Sequence, residues 1–171
     1  MRLRPPEARD AHLLELWRSP QYLSQFNDFG VPPRKVADVL HGTGFTDGRG
    51  GTMIVEVIAG GEPIGTVSWH EVRYGPNPES VALNIGIELI PKARGKGFGV
   101  EAQRLLAQHL LDTTRVNRIE ASTDVDNLAE QRALEKAGFS RDGLLRGAQF
   151  RAGAWHDLLV YSMVRPPAEL P

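Results

Sequence analysis

The sequence predicts an α/β chain in which a mixed sheet carries helices on its faces. Three observations predict it. Ser80 to Ile90 alternates, with Leu83, Ile85, Ile87 and Leu89 on one face and Asn84, Gly86 and Glu88 on the other. Phe98, Ala102, Leu105, Leu106 and Leu110 recur at helical spacing, which makes one apolar stripe. The two kinds of element follow one another as helices, strands, helix, strand, helix and strands, an order that suits one layered core.

The first helix falls within Ala8 to Arg18, where Leu13, Leu14, Leu16 and Trp17 lie, and Pro20 ends it. Tyr22 to Gly30 is a connecting segment with aromatics at Tyr22, Phe26 and Phe29. A short helix is expected after Pro32-Pro33, with Val36, Val39 and Leu40 apolar. Five glycines between His41 and Gly51 predict a mobile loop. Met53 to Ile58 and Ile64 to Val72 read as strands joined by Gly60-Gly61, and Gly75-Pro76-Asn77-Pro78 turns the chain into the alternating strand. The long helix runs from about Gly97 to Asp112. Asn117 to Thr123 follows as a strand and Asn127 to Ala137 as a helix stopped by Gly138. Phe139 to Val164 reads as two strands joined near Ala152-Gly153.

At 171 residues the chain is expected to form one domain, residues 1–165, with a tail at 166–171. Twenty basic against 21 acidic residues give a net charge of −1, so nothing draws the chain to nucleic acid or to an anionic membrane. With no cysteine, a disulfide scaffold, a thiolate metal site and a cysteine nucleophile are excluded. The histidines at 12, 41, 70, 109 and 156 show no metal-ligand spacing, and no G-x-S-x-G elbow occurs. No apolar run suggests a leader or a membrane span, so a soluble cytoplasmic protein is expected.

The most informative stretch runs from Ile87 through Arg94-Gly95-Lys96-Gly97-Phe98-Gly99-Val100 into the long helix. A helix N-terminus leaves backbone N–H groups without partners and carries positive potential. Glycines let a phosphate approach that backbone, and Arg94 and Lys96 add charge. The unit reads as a pyrophosphate cradle, or as a glycine-rich helix start with solvated basic residues. The dinucleotide pattern fails because Val100 stands where its third glycine belongs. The P-loop fails because Gly97 follows Gly95-Lys96.

Arg94-Gly95-Lys96-Gly97-Phe98-Gly99 resembles the R/Q-x-x-G-x-G/A signature of the GNAT N-acetyltransferase superfamily. Asn127 to Phe139 resembles the N-x-x-S-x-x-x-x-E-K-x-G-F segment of its RimJ/RimL-type branch, with Glu130 in place of the serine. Glu101-Ala102 and Asp157…Tyr161-Ser162 fit the same branch. The resemblance covers nearly the whole chain. It implies a mostly antiparallel twisted sheet splayed at its fourth strand, and acetyl-CoA as co-substrate with no metal. It implies that Ile87, Glu88 and Leu89 line the pantetheine arm. It further implies that Gly95, Lys96, Gly97, Phe98, Gly99 and Val100 would hold the pyrophosphate and that Asn127 would contact the cofactor; Asn127 equally suits a helix N-cap.

The implied reaction is direct attack of an amine on the thioester, helped by orientation, a base and an acid. Many members carry a tyrosine acid seven residues after the asparagine, where this chain has Leu134. Three candidates follow. Glu88 is the candidate base, on the strand that carries the thioester, or else a salt-bridged strand residue. Glu130 is a proton donor if burial raises its pKa; an exposed first-turn acid favoured by the dipole is the preferred reading. His70, a strand histidine that titrates near neutrality, is the third, and structural histidines are commoner. Asp157 and Tyr161 read as architectural. The expected acceptor is a primary amine, on a protein N-terminus or a small molecule, shaped by Tyr22–Gly30, residues 41–51 and Phe150–His156. A longer acyl-CoA and a non-catalytic acyl-CoA sensor are the alternatives. The chain is expected to act as a monomer or homodimer.

Overall fold

The structure, a computed structural model, describes residues 1–31, 35–40 and 49–166, with the backbone alone at 38 and 39. Much of the glycine segment (41–48), Pro32-Pro33, the Val39 side chain and the tail beyond Pro166 lie outside the described residues.

Among the described residues seven strands form one sheet: β1 (Arg2–Arg4), β2 (Gly50–Val57), β3 (Glu62–Arg73), β4 (Val81–Leu89), β5 (Arg118–Asp124), β6 (Ser140–Arg151) and β7 (Ala154–Val164), in the order β1-β2-β3-β4-β5-β7-β6. All neighbours run antiparallel except β4 and β5. Their parallel register follows from α3 (Phe98–Thr113), which carries the chain back across the sheet before β5 begins. The remaining helices are α1 (Ala11–Trp17), α2 (Val36–Leu40) and α4 (Leu128–Ala137).

β1 has no counterpart in the sequence reading, because three residues are too few for a period to show. It is held by its partner Val55 and by charge, as described below. The apolar stripe of α3 is also wider than its spacing suggests. Ala102, Gln103, Leu106, Ala107, Leu110 and Leu111 are buried, while Leu105 is only half-buried. The helix packs against both the sheet and α4, so a wider arc leaves water.

The register puts Val67, Trp69, Leu83, Ile85, Ile87 and Leu89 on one face. Gly99 at the start of α3 lies over Ile87 and Leu89 on that face. Thr66, Ser68, His70, Asn84 and Glu88 share the other face. No helix among the described residues is long and apolar enough to cross a membrane.

Candidate active site

β4 pairs with β3 over its whole length, from Arg73↔Val81 to Gly65↔Leu89. With β5 it pairs only from Leu83↔Ile119 to Ile85↔Ala121. Beyond Ile85 the two strands part, and the segment Ile87–Leu89 turns its backbone edge to the gap. Side chains reach that edge: the Ile87 carbonyl accepts from Asn27 Nδ2 at 3.2 Å, and the Leu89 carbonyl from Arg94 Nε at 2.8 Å.

The glycine turn opens next to this gap. The first bond of α3 runs from the Glu101 amide to the Gly97 carbonyl at 3.3 Å. The amides of Phe98, Gly99 and Val100 therefore precede any helical acceptor. Gly97 caps the helix with φ 84°, a left-handed conformation that disfavours a side chain, and a Cβ there would meet nothing within 4 Å. Gly95 is equally open, and Lys96 is exposed. The open space over Gly95 and Gly97 and the unpaired helix-start amides suit an anion.

Arg94 departs from expectation. Its guanidinium turns away from the glycine turn and donates to the Tyr22 carbonyl, the Leu89 carbonyl and, at 2.8 Å, Glu88 Oε1. A half-buried carboxylate and two carbonyls outcompete solvent for the guanidinium donors, so this side chain organises the floor of the site.

Glu88 points to the face opposite α3, into a cavity of about 210 Å3 walled by Leu14, Trp17, Tyr22 and Leu23, with Arg18, Thr52, Thr66 and Ser68 around it. Burial pushes its carboxyl above the usual range. Asn27, Arg94 and the Ser24 amide, all hydrogen-bonded to it, pull the other way. β3 comes close to this segment because residue 65 is glycine. A Cβ on Gly65, at φ 156°, would lie 2.2 Å from the Glu88 carbonyl. A glycine inside a strand is a readable sign of such close approach.

Glu130 corrects the preferred sequence reading. It is half-buried rather than exposed. Burial pushes its carboxyl up to about 7, with a further rise from the charge of Glu88 and a partial offset from a hydrogen bond with Gln103. Asn127 caps α4, its Oδ1 accepting from the Glu130 amide at 3.3 Å, so the cap and the acid belong to one turn.

His70 is not brought to this centre. It is exposed, sits opposite Asn84, and lies four residues along the sheet from the Thr66↔Glu88 pair, roughly 13 Å. Leu134 is fully buried in the core. Asp157 accepts from the Gly147 amide at 2.7 Å, and Tyr161 is buried. His156 contacts Asp124 Oδ2 at 3.2 Å, and Asp124 pairs with Arg151. Arg151 donates to the Gln25 carbonyl at 2.8 Å and stacks over Phe26, tying the Tyr22–Gly30 segment to the far side of the gap. No metal-binding group of His, Asp or Glu occurs among the described residues. Asn27 had no sequence signal at all, since only the fold brings it to Glu88.

The acetyltransferase (GNAT) domain pattern matches residues 1–140. A probable N-acetyltransferase of Bacillus subtilis, YjcK, is 35% identical over 106 residues, which are 62% of this chain and 57% of that relative. The chain thus spans little more than half the length of that relative. Two solved structures share the fold. Ribosomal-protein-S5-alanine acetyltransferase of Vibrio fischeri has a TM-score of 0.80 at 18% identity, covering 96% of this chain and 93% of its own. Spermidine N-acetyltransferase of Vibrio cholerae, in complex with CoA and spermine, has a TM-score of 0.78 at 19% identity, covering 95% and 94%. The glycine turn at the head of α3, the parting of β4 from β5 and the match over residues 1–140 agree: the chain belongs to the GNAT acetyltransferase family.

Proposed function

We propose that the protein transfers the acetyl group of acetyl-CoA to a primary amine by direct attack within a ternary complex. One observation carries this reading: beside a glycine-headed helix, β4 parts from β5 and sets Glu88, held by Asn27 and Arg94, at the gap. The Phe98, Gly99 and Val100 amides would hold the pyrophosphate, with Gly95 and Gly97 leaving room for it. The edge of Ile87–Leu89 that β5 leaves unpaired would take the pantetheine arm, and Asn127 would stand near its end. Acetyl-CoA supplies the thioester carbonyl.

Glu88, hydrogen-bonded to three donors, takes the proton that the amine nitrogen loses as its bond to the acetyl carbon forms. The carbon–sulfur bond breaks, and Glu130, near neutrality in its proton affinity, returns a proton to the departing thiolate. Atoms and charge balance: an amide and a free thiol leave, and one proton has moved from Glu130 to Glu88. Solvent restores the pair.

The 210 Å3 cavity is smaller than a typical drug-sized site of about 300 Å3 or more, so a compact amine is favoured. Neither a protein N-terminal amine nor a small-molecule amine is singled out. The named relatives act on one of each kind, the ribosomal protein S5 alanine and spermidine.

The test is thiol release from acetyl-CoA across a panel of N-terminal peptides, monoamines and spermidine, repeated with Glu88→Gln. Turnover with at least one amine is expected, reduced about 100-fold by Glu88→Gln with little change in coenzyme A affinity. Binding of coenzyme A without thiol release from any amine would make the protein a sensor. Faster turnover of a longer acyl-CoA would change the acyl donor.

A further inference from the structure

Asn27 has two amide hydrogens, and both are in use at β4: Nδ2 donates to the Ile87 carbonyl at 3.2 Å and to Glu88 Oε2 at 2.5 Å. The same group thus grips a side chain and the main chain of the residue before it. On the other oxygen, Arg94 Nη2 donates to Oε1 at 2.8 Å. An ionised carboxylate has about four lone-pair sites. Arg94, Asn27 and the Ser24 amide fill three of them, which leaves about one for a proton arriving from the cavity.

We propose that Asn27 is a positioning residue, whose side-chain amide fixes the Glu88 carboxylate against the Ile87 main chain and keeps it ionised with one lone pair open to the acceptor cavity. This rests on Glu88 being the base. Asn27 comes from the Tyr22–Gly30 segment, which Arg94 also grips at the Tyr22 carbonyl and Arg151 at the Gln25 carbonyl. Ordering of that segment and readiness of the carboxylate are therefore one event. The charged groups facing Glu88 are Arg94 from the turn after β4, Glu130 from α4 and Arg18 after α1. Asn27 is neutral, unlike these groups, so replacing it removes donors without removing a charge.

The experiment is a carbon-13 NMR titration of protein labelled at the glutamate carboxyls, with the Glu88 signal assigned by its loss in Glu88→Gln. Asn27→Ala is expected to raise the Glu88 midpoint by about one pH unit, the effect of one hydrogen bond to a charged group. Asn27→Asp, isosteric but with acceptors in place of donors, raises it further. The acid limb of the pH–rate profile, taken with the best amine of the panel above, moves to higher pH by the same amount, and KM for acetyl-CoA stays within about twofold. A residue that merely holds its loop would lower the melting temperature and leave the midpoint where it was, and that result overturns the proposal. If Asn27→Ala does not fold, the Asn27→Asp midpoint decides alone. Failure of the base reading would show differently, as full turnover by Glu88→Gln.

Discussion

Glu88 and Glu130 carry the same carboxyl group, and their neighbours set its proton affinity. Burial raises both: around Glu88 three donors offset part of the rise, and around Glu130 the charge of Glu88 adds to it. This gives a stability test independent of turnover. Glu130 goes from an ordinary value of 4.5 to about 7 in the folded chain. A carboxyl raised in the native state leaves stability intact below its ordinary value and removes it as pH rises through the native one. Glu130→Gln is therefore expected to gain about 3 kcal/mol on the wild type between pH 4 and pH 8, most of it before pH 7. Chemical denaturation at several pH values checks this, and a constant difference would mean that the carboxyl is not held neutral. Sequence alone could nominate both glutamates but not separate them, because their burial and their hydrogen-bond partners, Gln103 for one and Asn27 and Arg94 for the other, come from distant parts of the chain.

At the scale of elements, the site is an alignment of α3 with the free edge of β4. Both were legible. The alternation of Leu83 to Leu89 and the glycines before Phe98 are local signals that local physics turns into a strand and a helix start. The glycine turn predicts a sharp effect. Gly97→Glu puts a Cβ at φ 84° and a carboxylate beside the α3 amides. Strain costs roughly 1 kcal/mol of stability, while charge repulsion is expected to abolish coenzyme A binding in titration calorimetry. Retained affinity in the folded variant would remove the pyrophosphate from this turn. Arg94, in contrast, sits in the signature and yet serves Glu88. A motif gives the place of a residue, but the direction of a long side chain is decided by the acceptors within reach.

Across the whole molecule, the sheet's first edge is closed by charge. Arg4 donates from Nη1 and Nη2 to both oxygens of Asp10 at 2.7 and 2.8 Å, and from Nε to Glu56 Oε2 at 2.6 Å, and all three residues are buried. Hydrogen bonds from Arg4 hold both carboxyls below the usual range. Stability from depressed carboxyls is present above their ordinary values and lost as pH falls through the native ones, so the protein is expected to melt progressively earlier below about pH 4. Arg4→Met removes the shared cation and leaves buried Asp10 with the Glu7 amide and buried Glu56 with Arg2. It should lower the melting temperature by on the order of 10 °C at pH 7, with the deficit narrowing in acid as they take up protons. A deficit that is the same at both pH values would count against the cluster.

The sequence by itself determined the kinds and order of the main elements, the glycine-headed helix and the family, because these rest on period and on residues close together in the chain. Tertiary structure alone decided the short strand β1, the direction of Arg94, the half-burial of Glu130 and the meeting of Asn27 with Glu88. Those contacts join residues far apart in sequence or depend on how much water the packed chain excludes, and neither is encoded at any single position.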